Sequence, residues 1–297
     1  MSELINEKIN VYIRQRPNLS SDELDVSAGG ALEIEDSMVV YKAAQVDQLS
    51  ESLAQSHAFK FNGCFTPASQ MDIFDISTKP IIMSALEGYS GTIFAYGPTN
   101  SGKTYTMRGN AGSDNNNNND MEDDESKGIM QRSMELLIDE ASKVNGEIWV
   151  SYIQIYCEAI HDLLGNNDSY SNSDLQIREK EGKVFVENAV KHQVKSVSDF
   201  LGILYQGDEN RVTAETNMNE ASSRSHTALT VHICIPEMSD ESGDSNQPTS
   251  IKESTLIMVD LAGSERANAS EGLHFKRTEE AKSINLSLTS LGNCMNA

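Results

Sequence analysis

Hydrophobic and polar positions alternate at the start of the chain. Ile9, Val11 and Ile13 are interleaved with Asn10, Tyr12 and Arg14, the two-residue period of a half-buried strand. The same period returns over residues 148–156, rich in aromatic and β-branched side chains, and over 227–235, where Leu229, Val231 and Ile233 share a face. Residues 254–260, STLIMVD, form an apolar run that ends in Asp, as a strand covered on both faces does. Residues 91–96, GTIFAY, read as a second short buried strand. A helical period runs over 70–86 and 197–206, and Ile284, Leu288, Leu291 and Met295 keep helical spacing up to the last residues. Strands interleaved with helices predict an α/β fold around one sheet. No internal repeat is visible.

Three stretches interrupt this pattern: 110–127, with five consecutive Asn followed by DMEDDESK; 165–174, GNNDSYSNSD; and 237–253, rich in Ser, Asp and Glu. Each is too polar to bury a core of its own and lies between periodic segments. They are expected to be loop insertions in a single domain spanning 1–297.

Composition narrows the function. The net charge is −22, from 23 Lys and Arg against 45 Asp and Glu. Nucleic acid is not expected as a partner, because phosphate contact needs clustered cations. Attraction to an acidic filament would have to use local basic patches. No apolar stretch reaches the ~18–20 residues of a membrane span, so no membrane partner is expected, and the opening MSELINEKIN lacks the apolar run of a secretory signal. Cys64, Cys157, Cys234 and Cys294 show no C-x-x-C spacing and read as buried free thiols of a reducing compartment.

The strongest chemical signal follows the 91–96 strand. GPTNSGKT, residues 97–104, is G-x-x-x-x-G-K-[ST] in the strand–loop–helix context that the motif requires. Gly97 and Gly102 let the backbone amides of the loop, through Pro98, Thr99, Asn100 and Ser101, wrap a β-phosphate without an obstructing Cβ. Lys103 brings an ammonium between β- and γ-phosphates, Thr104 offers a hydroxyl to Mg²⁺, and the following helix adds amide donors. The expected ligand is ATP with Mg²⁺. Asp260, ending its buried strand, is placed to hold Mg²⁺ through water. Three residues on, Gly263 can offer its amide to a γ-phosphate. Taken singly, a capping Asp and a turn Gly explain that fragment equally well. NEASSRSH, 219–226, packs two hydroxyls, an Arg and a His ahead of a strand and alone could be any polar loop.

Together these segments resemble one family. FAYGPTNSGKTYTM, NMNEASSRSHT and VDLAGSER resemble the P-loop, switch I and switch II of kinesins. INVYIRQRP, FNGCFTPASQMDIFD, VSYIQIYCEAIHDLL and EEAKSINLSLTSLGNCMNA are similar to further segments of that motor domain, in order. The resemblance implies a P-loop NTPase fold, with a central mostly parallel or mixed sheet flanked by helices on both faces. It also implies an ATPase that moves along microtubules, in the cytoplasm and on the cytoskeleton.

Residue by residue, it implies that Arg14, Arg16, Pro17 and Tyr105 contact the adenine. Ser223 approaches Mg²⁺ with Thr104 and Asp260, and Ser222 helps place the lytic water. Arg224 and Glu265 form the ion pair closing switch I onto switch II, and Glu265 relays a proton. Lys191, His192, Lys276, Arg277 and Lys282 face tubulin. Pro98 departs from the Gln most kinesins carry there, and residues 272–283 make a longer loop after switch II than is usual. The family's motor domain continues beyond the point where this sequence stops. Weak microtubule attraction and no gliding are therefore expected of these 297 residues, and a non-motile nucleotide-binding protein is the alternative.

Overall fold

The structure, a computed structural model, describes residues 9–17, 31–42, 56–110, 124–165, 175–218, 224–237, 250–265 and 275–296. They gather into two compact units, Met1–Ser77 and Thr78–Ala297. The boundary falls at none of the three polar insertions.

In the first unit, β1 (Tyr12–Arg14) pairs in parallel with β5 (Gly63–Phe65). The predicted strand is thus real but begins at Tyr12. β2 (Ala31–Glu35), β3 (Met38–Lys42) and β4 (Ser56–Lys60) form an antiparallel meander. Helix α1 (Gln70–Ile73) starts at a capping box: the Ser69 hydroxyl accepts from the Asp72 amide, and the Asp72 carboxylate accepts from the Ser69 amide. These reciprocal bonds satisfy amides that the first helical turn leaves open. A π-helical turn follows over Phe74–Thr78.

The second unit opens with α2 (Lys79–Leu86) and is built on a sheet in the order β11-β7-β12-β13-β6, with β8 also paired to β7. The strands are β6 (Gly91–Ala95), β7 (Glu147–Tyr156), β8 (Ala159–Asp162), β11 (His192–Val194), β12 (His226–Glu237) and β13 (Ser250–Asp260). The sheet is mixed: β13 and β6 run parallel, the other pairs antiparallel. A separate antiparallel ribbon joins β9 (Gln176–Lys180) to β10 (Lys183–Glu187).

Register explains the burial of one sheet face. Val150, Val231 and Leu256 lie in one row, and Tyr152, Leu229 and Met258 in the next; all six are fully buried. The Ser254 hydroxyl on this face donates to the Ala85 carbonyl of α2 at 2.6 Å. Helix α3 (Lys103–Arg108) follows β6. Helix α4 (Ile129–Lys143) buries Met130, Met134, Leu137 and Ala141 along one stripe, the spacing of an amphipathic helix. Helix α5 (Val197–Met218) outruns its predicted end at residue 206. Arg108 at the end of α3 is ion-paired with Asp208 of α5, which fixes the direction of α3. His226, the first residue of β12, is bonded to Ser287 of α6 (Phe275–Asn296).

Three expectations need correction. From Phe275 on, the stretch 272–283 read as a longer loop after switch II belongs to α6, whose polar first turns carry no apolar period. Residues 250–253, read as the end of a loop, belong to β13 and pair with Glu237, Pro236, Ile235 and Cys234. Their polar composition hid them, because a ladder is held by backbone groups that composition does not see. Lys252 Nζ also reaches Glu237 Oε1 at 2.8 Å across the pair. The cysteines are free, but none of the four is fully buried: Cys64 and Cys234 are half-buried, and Cys157 and Cys294 are exposed. The neck of the 110–127 insertion is drawn together by the Asn110 amide, which donates to the Ser126 carbonyl at 2.9 Å, and most of 165–174 and 237–253 lies outside the described residues. No helix among the described residues is long and apolar enough to cross a membrane, which says nothing of strands.

Candidate nucleotide-binding site

β6 leads directly into the 97–104 loop. Gly102 has φ +95° and caps α3 in the left-handed region, which a side chain would disfavour even though no atom blocks a Cβ there. Lys103 Nζ donates to the carbonyls of Gly97 (3.0 Å) and Pro98 (2.9 Å), so the ammonium is folded back over its own loop. Burial pushes its pKa below the ordinary lysine value, and Asp260 and Glu265 oppose that shift.

Thr104 Oγ1 donates to Asp260 Oδ2 at 2.7 Å across 156 residues of sequence. The P-loop hydroxyl and the carboxylate ending β13 therefore meet as expected, because β6 and β13 are parallel neighbours with Asp260 opposite Ala95. Asp260 also lies opposite Thr227 of β12. Asp260 Oδ1 and the hydroxyls of Thr227 and Ser225 are buried without a hydrogen-bond partner. An unbonded buried oxygen costs about 1–3 kcal/mol. A carboxylate oxygen of Asp260 left open next to the Thr104 hydroxyl is the kind of oxygen donor pair a hydrated Mg²⁺ takes, so these two residues fit that ion.

The segment after Asp260 closes onto the same loop. Ser264 N donates to the Gly97 carbonyl at 3.1 Å. Glu265 Oε2 accepts from the Thr99 amide at 2.8 Å, and Oε1 accepts from the Thr99 hydroxyl. Burial would raise the Glu265 pKa, but the Thr99 donors, with Lys103, outweigh it and hold the carboxyl below the usual range. A Cβ at Gly263 would meet Thr99 Oγ1 and both Glu265 oxygens. A side chain there would therefore have to displace the Thr99–Glu265 contact.

Comparison with known proteins decides the family. A model of the kinesin motor domain matches residues 14–297. The chain belongs to the kinesin motor-domain family. Kinesin-like protein KIN-UB of Arabidopsis thaliana is 36% identical over 305 residues, covering 98% of this chain and 32% of that protein. Kinesin-like protein KIN-UC of the same plant is 41% identical over 252 residues, 82% of this chain and 22% of that protein. Kinesin-like protein Klp68D of Drosophila melanogaster is 35% identical over 300 residues, 100% of this chain and 35% of that protein. A solved fast kinesin, described for its ATPase mechanism and interactions with microtubules, superposes with a TM-score of 0.73 at 31% identity, covering 93% of this chain and 71% of that one. The chain spans about a third or less of the length of these curated relatives.

The kinesin P-loop, Asp260, Gly263 and Glu265 are therefore brought together. Tyr105 is exposed at the start of α3. Arg14, Arg16 and Pro17 belong to the first unit, where Arg14 Nη1 donates to Gln70 Oε1 at 2.8 Å. Arg224 precedes β12, and Ser222 and Ser223 lie outside the described residues. His226 is buried, accepts from the Ala262 amide at 3.0 Å and meets Ser287 of α6 at 2.9 Å.

Proposed function

We propose that this chain binds Mg·ATP at residues 97–104, hydrolyses it, and uses the cycle in a microtubule motor of the cytoplasm and cytoskeleton. The observation carrying this reading is the Thr104–Asp260 bond, with the second Asp260 oxygen buried and unbonded beside it. Lys103, with the loop amides, binds the β- and γ-phosphates. Thr104 and Asp260, with Ser223, would hold Mg²⁺, which would supply neutralisation of phosphate charge. Ser222 orients the attacking water, and the Gly263 amide binds the γ-phosphate. Glu265 accepts the proton released by that water when Arg224 draws it from Thr99. Tyr105 takes the adenine by stacking. Phosphoryl transfer of this kind rests on positioning and electrostatics rather than on a covalent intermediate.

The test is a comparison of wild type with Glu265→Ala for Mg·ATP affinity and single-turnover hydrolysis, with and without microtubules. Affinity is expected to hold within about fivefold while hydrolysis falls by about 100-fold or more, because the lost contact acts in the transition state. Parallel loss of both would assign Glu265 to loop structure alone.

A further inference from the structure

His226 stands where three segments meet: it opens β12, touches the stretch following Asp260, and reaches α6. The hydrogen-bond directions are determined by chemistry. A backbone amide only donates, so Nδ1 must be the acceptor of the Ala262 N–H. Ser287 Oγ donates its one proton to the Ile284 carbonyl at 2.8 Å. Toward the ring it can only accept, so Nε2 carries the hydrogen. Both nitrogens are committed, and the ring is the neutral Nε2–H tautomer. Burial pushes the imidazole pKa below its ordinary value, with Asp260 and Glu158 opposing and Lys103 reinforcing, in keeping with a neutral ring.

The location gives the bridge a consequence. Ala262 lies two residues beyond Asp260 and one before Gly263, in the stretch whose end, Ser264 and Glu265, is bonded to the P-loop. Ala262 is fully buried. An amide buried there without an acceptor would carry a desolvation cost, so the stretch and the ring move together or the bond breaks. Ser287 lies on the part-buried face of α6, one turn beyond Ser283, whose hydroxyl donates to Glu158 Oε1 at 3.1 Å.

We infer that His226 is a positioning residue joining the phosphate-facing stretch 260–265 to helix α6 through an Ala262–His226–Ser287 hydrogen-bonded bridge. The inference rests on the nucleotide site proposed above and adds a coupling element to it: a displacement of Ala262 is passed to α6 through one rigid ring. An imidazole suits the task, since its two nitrogens lie on opposite sides of a planar ring and cannot fold away from either partner.

Three preparations test this: wild type, Ser287→Ala and His226→Asn. The readouts are ¹⁵N shifts of labelled histidine, hydrogen exchange across α6, and Mg·ADP titration. In wild type the His226 ring should show an unprotonated Nδ1 and a protonated Nε2, and Mg·ADP should change exchange across residues 284–291. Ser287→Ala should shift Nε2, speed exchange in that turn about threefold to tenfold, as loss of one net hydrogen bond does, and abolish the nucleotide-dependent change. Mg·ADP affinity should stay within about threefold, because among the described residues Ser287 is bonded to α6 and the ring and to no residue of the phosphate loop. His226→Asn keeps an acceptor at the Nδ1 position but lacks the reach to Ser287, so it should reproduce Ser287→Ala. Ring shifts of the Nδ1–H or doubly protonated form, or an α6 response unchanged in Ser287→Ala, would overturn the bridge. Failure of wild type to bind Mg·ADP would overturn the nucleotide site instead, and the ring shifts and Ser287→Ala exchange would still decide the bridge.

Discussion

The buried face of the second unit's sheet is continuous, yet its two ends are built on opposite rules. Toward one end lie Ile148, Ile233 and Ser254, and the one polar group among them, the Ser254 hydroxyl, is bonded to Ala85. At the other end the same three strands present Gln154, Thr227 and Asp260, all buried, and there the Thr227 hydroxyl and Asp260 Oδ1 have no partner. At the Ser254 end the polar group is satisfied within the fold, and at the Asp260 end a hydroxyl and a carboxylate oxygen stay open to a ligand. The apolar side chains between, Val150, Leu229, Val231, Leu256 and Met258, offset the cost of leaving those oxygens open.

The contrast can be broken most strongly in the apolar rows. Leu229→Ala should lower unfolding free energy by about 2–5 kcal/mol in a urea titration, as core truncations do. Mg·ATP affinity of the folded fraction should stay unchanged, and a matching loss of affinity would show that the two ends are not separable.

Acid should act on the other alternation of β12. His232 is pushed down to about 4, first by burial and then by Lys191, against Glu253. Below the unfolded value of about 6.5 the unfolded chain binds the proton that the fold refuses. The contribution is therefore full above pH 6.5 and lost as pH falls toward 4. Because the ring is partly exposed, about 1–2 kcal/mol is expected after allowance for solvent screening. Urea midpoints measured across that window should fall less steeply for His232→Gln, and parallel profiles would remove His232 as the source.

A smaller effect sharpens the polar end. Thr227→Val keeps the shape and deletes an unbonded buried hydroxyl. It should stabilise the protein by about 1 kcal/mol while weakening Mg²⁺-dependent nucleotide binding. Destabilisation would mean that the hydroxyl is satisfied in the fold.

Most of the sheet and the phosphate loop were legible because their signals are local. Alternation over 227–235 and the apolar run 254–260 follow from side-chain period, and GPTNSGKT carries its own context. The meeting of Thr104 with Asp260 was also foreseeable, since Thr104 opens the helix after the P-loop and Asp260 ends a strand of the same sheet. What stayed hidden depends on tertiary placement. Nothing in the sequence ties Thr99 to Glu265 across 166 residues, and a short motif does not say that His226 faces away from the loop toward Ser287. Residues 250–253 looked like linker because their polar side chains carry no apolar period, while their backbone continues the ladder. α4, whose stripe spaces Met130, Met134, Leu137 and Ala141 at helical intervals, has a period that reading along the chain could have found.

The central claim is that one end of this sheet is a Mg·ATP site built on the 97–104 loop and Asp260. Titrating Mg·ATP into wild type and Lys103→Ala tests it directly, with circular dichroism to verify that both are folded. The account predicts saturable binding by wild type and a loss of affinity of about 100-fold or more in the variant, as removal of a charge-assisted contact to phosphate produces. Equal affinity in the two proteins would contradict it.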